Sequence, residues 1–166
     1  MDLEIRRARA DELDAVGALT VAAYAADGRI TADHPYATHL ADAVARYRDA
    51  VLLVAAGADG ELLGTATIVP AGSSLVEMCR TGEMELRMLA VSPDARGGGI
   101  GERLASACVE VAREHGCERV ILSSGTWMTA AHRLYERLGF VRVPERDWSP
   151  RKDVHLLAYE LPLTRT

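Results

Sequence analysis

At 166 residues, 49% hydrophobic and 26% charged, the chain has the size and balance of one globular domain, taken as residues 1–166. Its formal net charge of −5 supplies no basic field for nucleic acid or an anionic membrane. Three scattered cysteines (Cys79, Cys108, Cys117) form no zinc-type cluster or disulfide framework, and neither a signal-peptide core nor a membrane-spanning run is seen, so a cytoplasmic protein without a metal is expected.

In chain order, Leu3 to Ala8 alternates as a strand, and Asp11-Glu12 opens a helix with Leu13, Val16, Leu19 and Ala23 on one stripe. Asp27-Gly28 ends it. After a loop over 28–36, the spacing predicts a second helix from about Tyr36 to Arg48, with Leu40, Val44 and Tyr47 on one face. Val51–Ala56 and Leu62–Val69 flank Asp59-Gly60 and read as a hairpin. Residues 70–82 read as a loop, and Glu83–Val91 as a strand stopped by Ser92-Pro93-Asp94. A helix then carries Ile100, Leu104, Cys108 and Val111 on one stripe and closes at His115-Gly116, with His115 expected as a partner of the helix dipole. Val120–Leu122 is a short strand. Thr129 is the expected cap of a helix burying Ala131, Leu134, Tyr135 and Leu138; Phe140–Val143 is a strand, 144–153 a polar loop and Val154–Leu161 the last strand. This order calls for an α/β fold with a mixed sheet and helices packed on it.

Chemistry concentrates first at Arg96-Gly97-Gly98-Gly99-Ile100-Gly101. Glycines between a strand and a helix let the main chain approach a ligand, and the N–H groups of a helix start favour a diphosphate. Arg96 adds a fork of donors suited to phosphate oxygens. A Walker turn is excluded because Glu102-Arg103 follows Gly101. The dinucleotide fingerprint fails in both registers, which place Leu104 or Glu102 where its last glycine belongs.

Leu89 to Gly101 (LAVSPDARGGGIG) and Ala131 to Phe140 (AHRLYERLGF) resemble the two motifs of the GNAT superfamily of N-acetyltransferases, in the same order and at the same spacing. The resemblance covers nearly the whole chain. It implies a mostly antiparallel sheet flanked by helices, and acetyl-CoA as co-substrate. Leu89, Ala90 and Val91 would present backbone groups to the pantetheine arm, on a strand splayed from its neighbour. Arg96, Gly97, Gly98, Gly99, Ile100, Gly101 and Glu102 would hold the pyrophosphate. Tyr135 would protonate or hydrogen-bond the departing thiolate. Met128 stands where the family often has Asn, which removes a side-chain amide from the expected cofactor contacts.

Glu83, Glu85 and Arg87 alternate on a face opposite Met84, Leu86 and Met88, and read either as candidate bases or as a solvated edge. Glu85 is the first candidate for the base that takes the amine's proton and Glu83 the second, with loss of the proton to bulk water as the alternative. His132 is expected at the surface. Tyr24, Asp27, Asp33, His34 and Tyr36 are expected along the acceptor site, with Trp127 and Trp148 as further walls. The expected partner is a small-molecule or peptide amine, with no nucleic acid and no membrane, and the resemblance admits a homodimer. A CoA-binding sensor without turnover, a transferase of longer acyl groups and an O-directed acceptor are the competing readings.

Overall fold

The computed structural model describes residues 2–28, 30 and 33–163. Eight strands form one sheet: β1 (Glu4–Arg7), β2 (Val51–Ala56), β3 (Leu62–Pro70), β4 (Glu83–Val91), β5 (Arg119–Gly125), β6 (Val141–Arg142), β7 (Trp148–Arg151) and β8 (Val154–Pro162). Their spatial order is β1-β2-β3-β4-β5-β8-β6, with β7 also on β8. Every pairing is antiparallel except β4 with β5. The expected mixed α/β architecture is the observed one.

All six residues of β2 are buried because the sheet is covered on both sides. Val51, Leu53 and Ala55 point into the main core under α4 (Ile100–Glu114), with Ile100, Leu104, Cys108 and Ala112. Leu52 and Val54 point the other way, against Val16 of α1 (Leu13–Ala26) and Ala43 of α3 (Ala43–Asp49). The hairpin turn lies where Asp59-Gly60 predicted it, with Gly60 at φ 80°.

Helix α4 sits close because β3 has a glycine beneath it. A Cβ on Gly64 would lie 2.8 Å from Leu104 Cδ1 and 3.1 Å from both Ile100 Cγ2 and the Ala90 carbonyl oxygen. Gly64→Ala is therefore expected to cost about 1–3 kcal/mol, read as a lower urea midpoint with an unchanged slope. A wild-type midpoint would show that α4 can ride outward freely.

Four expectations need correction. The helix predicted over Tyr36–Arg48 is two, α2 (Pro35–Ala41) and α3, broken at Asp42. Asp42 has ψ 72°, and its Oδ1 accepts the Ala45 N–H at 3.1 Å, a local bond that competes with helix continuation. The break rotates the buried face to Leu40, Ala43 and Arg46, leaving Val44 and Tyr47 exposed. Thr129 does not cap α5 (Thr129–Arg137): the N-cap is Met128, without a side-chain cap bond. The polar loop over 144–153 contains β7, which β8 recruits through Trp148↔Leu156 and Arg151↔Val154. Met88 interrupts the alternation of β4.

Candidate functional site

β4 is the strand on which the site is built. Its register against β3 shifts between Thr65↔Ala90 and Thr67↔Arg87, so Met88 and Leu89 together face one residue of β3. Met88 has φ 54°, the one non-glycine in the left-handed region among the described residues. Such a bulge re-aims the residues beyond it. Leu89 and Val91 thereby join the core face of Met84 and Leu86. The strain, of order 1–3 kcal/mol, is the kind that packing sustains at a functional strand.

The parallel ladder between β4 and β5 takes in Glu83, Met84 and Glu85 against Arg119, Val120 and Ile121, and ends there. From Leu86 onward β4 keeps its β3 partner, while β5 pairs with β8 along its whole length. Beyond Glu85 and Ile121 the two strand edges are thus not paired with each other, the setting in which an extended amide-containing chain can add to a sheet. At the end of β4, the chain turns through Pro93–Ala95 into the glycines. Gly97 (φ 85°) and Gly99 (φ 79°) are both left-handed with open space around them, so glycine is required here by conformation and not by crowding. The first bond of α4 runs from the Arg103 N–H to the Gly99 oxygen at 3.1 Å. The N–H groups of Gly99, Ile100, Gly101 and Glu102 precede that ladder, at the positive end of a 15-residue helix. An Ala at 101 would put Cβ 3.2 Å from Leu134 Cδ1, so Gly101 lets α5 close on the turn. A diphosphate followed by an amide-bearing arm fits this run of donors and the adjoining gap.

Arg96 and Glu102 are differently engaged. Arg96 Nη1 pairs with Asp27 at 2.7 Å and Nη2 donates to the Ala23 oxygen at 2.9 Å, at the carbonyl end of α1. Glu102 pairs with Arg137 at 2.9 Å. Asp27, expected beside the acceptor, is thus tied to the glycine turn.

Tyr135 is the buried residue of α5, its ring 5.7 Å from that of Phe140 and 6.2 Å from that of Tyr159. Burial pushes its phenol well above the usual range, and the neighbouring Cys108 adds to this. His132 is half-buried and not a surface residue: its Nε2 lies 2.9 Å from the Gly125 oxygen and its ring 5.5 Å from that of Tyr159. His115 does cap α4, with Nδ1 2.8 Å from the Val111 oxygen. The Trp127 indole lies over the backbone of Gly125 at the end of β5, where an added Cβ would come within 2.5 Å of the ring. The Met128 sulfur accepts from Ser124 Oγ at 3.7 Å.

The two glutamates of β4 are not a solvated edge. Glu85 is 1% exposed, and its Oε1 accepts from the N–H groups of Glu77 (3.0 Å), Met78 (3.0 Å) and Cys79 (3.2 Å). Three donors exhaust that oxygen's lone pairs, leaving proton uptake to Oε2. Glu83 is 2% exposed and engages Arg146, Arg119 and the Arg80 N–H. Nothing in the sequence pattern distinguishes these buried acceptors from exposed ones, because their donors are loop amides and arginines distant in the chain.

On the same side of β4, Tyr24 of α1 and Tyr36 of α2 both feel Arg87 and Arg46, and Tyr24 also feels Tyr135. Burial pushes both phenols up, and it pushes His39 down, helped by the two arginines. Arg87 Nε lies 2.9 Å from Glu77 Oε1. Sequence reading missed Glu77 and Arg46; the readable signal for Arg46 was its place three residues after Ala43, once the break at Asp42 is known. Asp33 lies exposed in the turn before α2, while Trp148 sits on β7 with its buried Nε1 lacking a partner. Among the described residues no helix is long and apolar enough to cross a membrane.

A family model described as the acetyltransferase (GNAT) family matches residues 18–140. The chain is 34% identical over 85 residues to the uncharacterized N-acetyltransferase YjgM of Escherichia coli, covering 51% of this chain and 48% of that protein. It is 33% identical over 124 residues to a mycothiol acetyltransferase of Cellulomonas flavigena, covering 70% of this chain and 36% of that one. The chain therefore spans half or less of these curated relatives. Among solved structures, a Staphylococcus aureus GNAT acetyltransferase superposes with a TM-score of 0.77 at 15% identity, over 98% of this chain and 100% of that one. Salmonella typhimurium YncA, solved with acetyl-CoA, gives 0.71 at 21% identity, over 100% and 96%. The splayed parallel pair, the bulged strand and the glycine turn all lie inside the matched segment, and the chain belongs to the acetyltransferase (GNAT) family.

Proposed function

We propose that the chain is an acetyl-CoA-dependent N-acetyltransferase acting by direct attack of an amine in a ternary complex. The observation that carries this is the gap between β4 and β5 opening beside the unpaired N–H groups of Gly99 to Glu102. The acetyl-CoA and CoA complexes of YncA and Thermoplasma acidophilum PaiA, which share the fold, support the choice of co-substrate.

In this reading the pyrophosphate rests on the turn Gly97–Glu102, and the pantetheine arm lies along Leu89, Ala90 and Val91. The Arg96–Asp27 pair is exposed and worth about 0–1 kcal/mol, so Arg96 can exchange Asp27 for phosphate oxygens. The Leu89 N–H at the bulge donates to the thioester carbonyl oxygen, where negative charge develops. The amine nitrogen bonds to the carbonyl carbon and the C–S bond breaks. Tyr135 supplies a hydrogen bond or a proton to the sulfur. The proton released by the amine goes to Glu85 through Oε2 or water, or directly to bulk water. Tyr24, Tyr36, Asp33 and Trp127 flank the acceptor, a small-molecule or peptide amine.

Acetyl-CoA at 100 times its Kd is expected to stabilise the protein by about 2.7 kcal/mol in thermal unfolding. Thiol release with a panel of amines then measures turnover. No stabilisation by acetyl-CoA or CoA would remove the cofactor assignment. Stabilisation without release on any amine would favour a CoA-binding sensor.

A further inference from the structure

The carbonyl end of α1 carries negative charge from two sources. A helix leaves its last C=O groups unpaired at the negative end of its dipole, where cations are favoured and carboxylates are not. α1 has no basic residue in its last turn, and its C-cap is Asp27, a carboxylate set on that negative end. The cation comes from far along the chain. Arg96, 69 residues on, sends Nη1 to Asp27 Oδ1 at 2.7 Å and Nη2 to the Ala23 oxygen at 2.9 Å. The Asp27 N–H turns to the Tyr24 oxygen at 3.2 Å, and the Ala23 oxygen is taken up by Arg96. One planar guanidinium thus serves the helix end and the carboxylate together.

The same guanidinium stands beside the diphosphate turn. Gly97 and Gly98 alone separate Arg96 from Gly99, the N-cap of α4. Its Nε lies 3.5 Å from the oxygen of Val91, the last residue of β4, so the side chain folds back along the loop toward that strand and α1. Within 91–102 Arg96 is the only cationic side chain, and Arg137, which reaches Glu102 from α5, is paired there. The Arg96 and Asp27 side chains are 41% and 49% exposed. Water screens such a pair, and a phosphate offers the guanidinium a stronger, charge-assisted partner.

A diphosphate on the turn and the Asp27 carboxylate therefore contend for one guanidinium. We propose that Asp27 is a built-in competitor of the cofactor: its carboxylate takes the place of a phosphate oxygen on Arg96, and acetyl-CoA must displace it. This rests on the N-acetyltransferase reading and gives its diphosphate site a residue that opposes binding. The ligand gains only the difference between its own contacts and those it displaces, so the pair subtracts its worth from the affinity. Contacts to the diphosphate are the same before and after the chemistry, so tighter binding there adds nothing to kcat. The subtraction weakens the hold on the product CoA at no loss in the chemical step.

The test is the Kd of CoA by calorimetric titration for wild type, Asp27→Asn, Arg96→Gln and the double variant. Asn keeps the shape of the side chain and drops its charge. Asp27→Asn is expected to bind CoA about three- to fivefold more tightly at low salt, the upper end of what an exposed pair is worth. The gain should shrink at high salt. Arg96→Gln should weaken binding. On that background the Asp27 substitution should change the Kd by less than about 1.5-fold, because the contested donor is gone. A tightened Kd cannot come from a misfolded variant. Unchanged or weaker binding by Asp27→Asn overturns the inference and leaves the cofactor reading standing. So does a gain that persists undiminished on the Arg96→Gln background, since it reports repulsion through space and not competition for the guanidinium. If neither CoA nor acetyl-CoA binds to wild type or any variant, the cofactor reading itself has failed and the inference falls with it.

Discussion

Tyr135→Phe is expected to lower kcat on the order of 10²-fold, about 2.7 kcal/mol in the barrier, while the affinity for acetyl-CoA changes little. The substitution removes one hydroxyl and keeps the ring that packs on Phe140 and Tyr159. Stability should therefore move by no more than about 1 kcal/mol, so a lost rate cannot be blamed on unfolding. Burial keeps the phenol protonated far into the alkaline range. The wild-type rate should accordingly show no alkaline fall attributable to this group between about pH 7 and pH 10, where an ordinary tyrosine begins to ionise. Because a thiol near 8.5 is the stronger acid in water, a hydrogen bond that steadies the thiolate suits such a phenol better than full proton transfer. Stopped-flow thiol release with both proteins checks this. An unchanged kcat would leave Tyr135 as a core residue alone.

The second large effect concerns stability. Glu83→Gln is expected to destabilise the fold by about 3 kcal/mol, the lower end for breaking a buried ion pair. Arg146 is nearly as buried as Glu83, its Nη1 2.7 Å and Nη2 3.0 Å from the carboxylate, so the variant strands a charge. Arg119 is partly open to water and can rehydrate, which keeps the cost from the upper end. Burial pushes the Glu83 carboxyl up, yet its bonds to Arg146, the Arg80 N–H and Arg119 outweigh that and hold it below the ordinary range. The network's contribution is thus present above the unfolded carboxyl value, about 4.3, and is lost as pH falls through the lower folded value. Urea midpoints at pH 7 and at pH 4 and below should converge for wild type and Glu83→Gln as the acid is reached. Equal midpoints at pH 7 would mean that the cluster contributes nothing net.

Much of this molecule is legible without coordinates. The hairpin at Asp59-Gly60, the stripe Ile100, Leu104 and Cys108, and the glycine turn before it depend on local chemistry, so pattern and turn residues place them. The two segments around Gly99 and Tyr135 carry the family resemblance because they are contiguous and lie in elements of fixed period.

What failed was non-local. Asp42 breaks a run with helical spacing because its carboxylate caps α3 while Arg46 gathers the carbonyls at the end of α2. β7 exists because β8 offers an edge to a polar segment. Glu83 and Glu85 alternate like exposed residues, and loop amides and distant arginines make them interior ones. From sequence alone come most of the element types, the glycine turn and the family. Tertiary structure alone decided the bulge at Met88, the end of the β4–β5 ladder after Glu85 and the pairing of Arg87 with Glu77. The first set depends on neighbours a few residues away, whereas the second depends on which groups of opposite polarity the closed fold brings within reach.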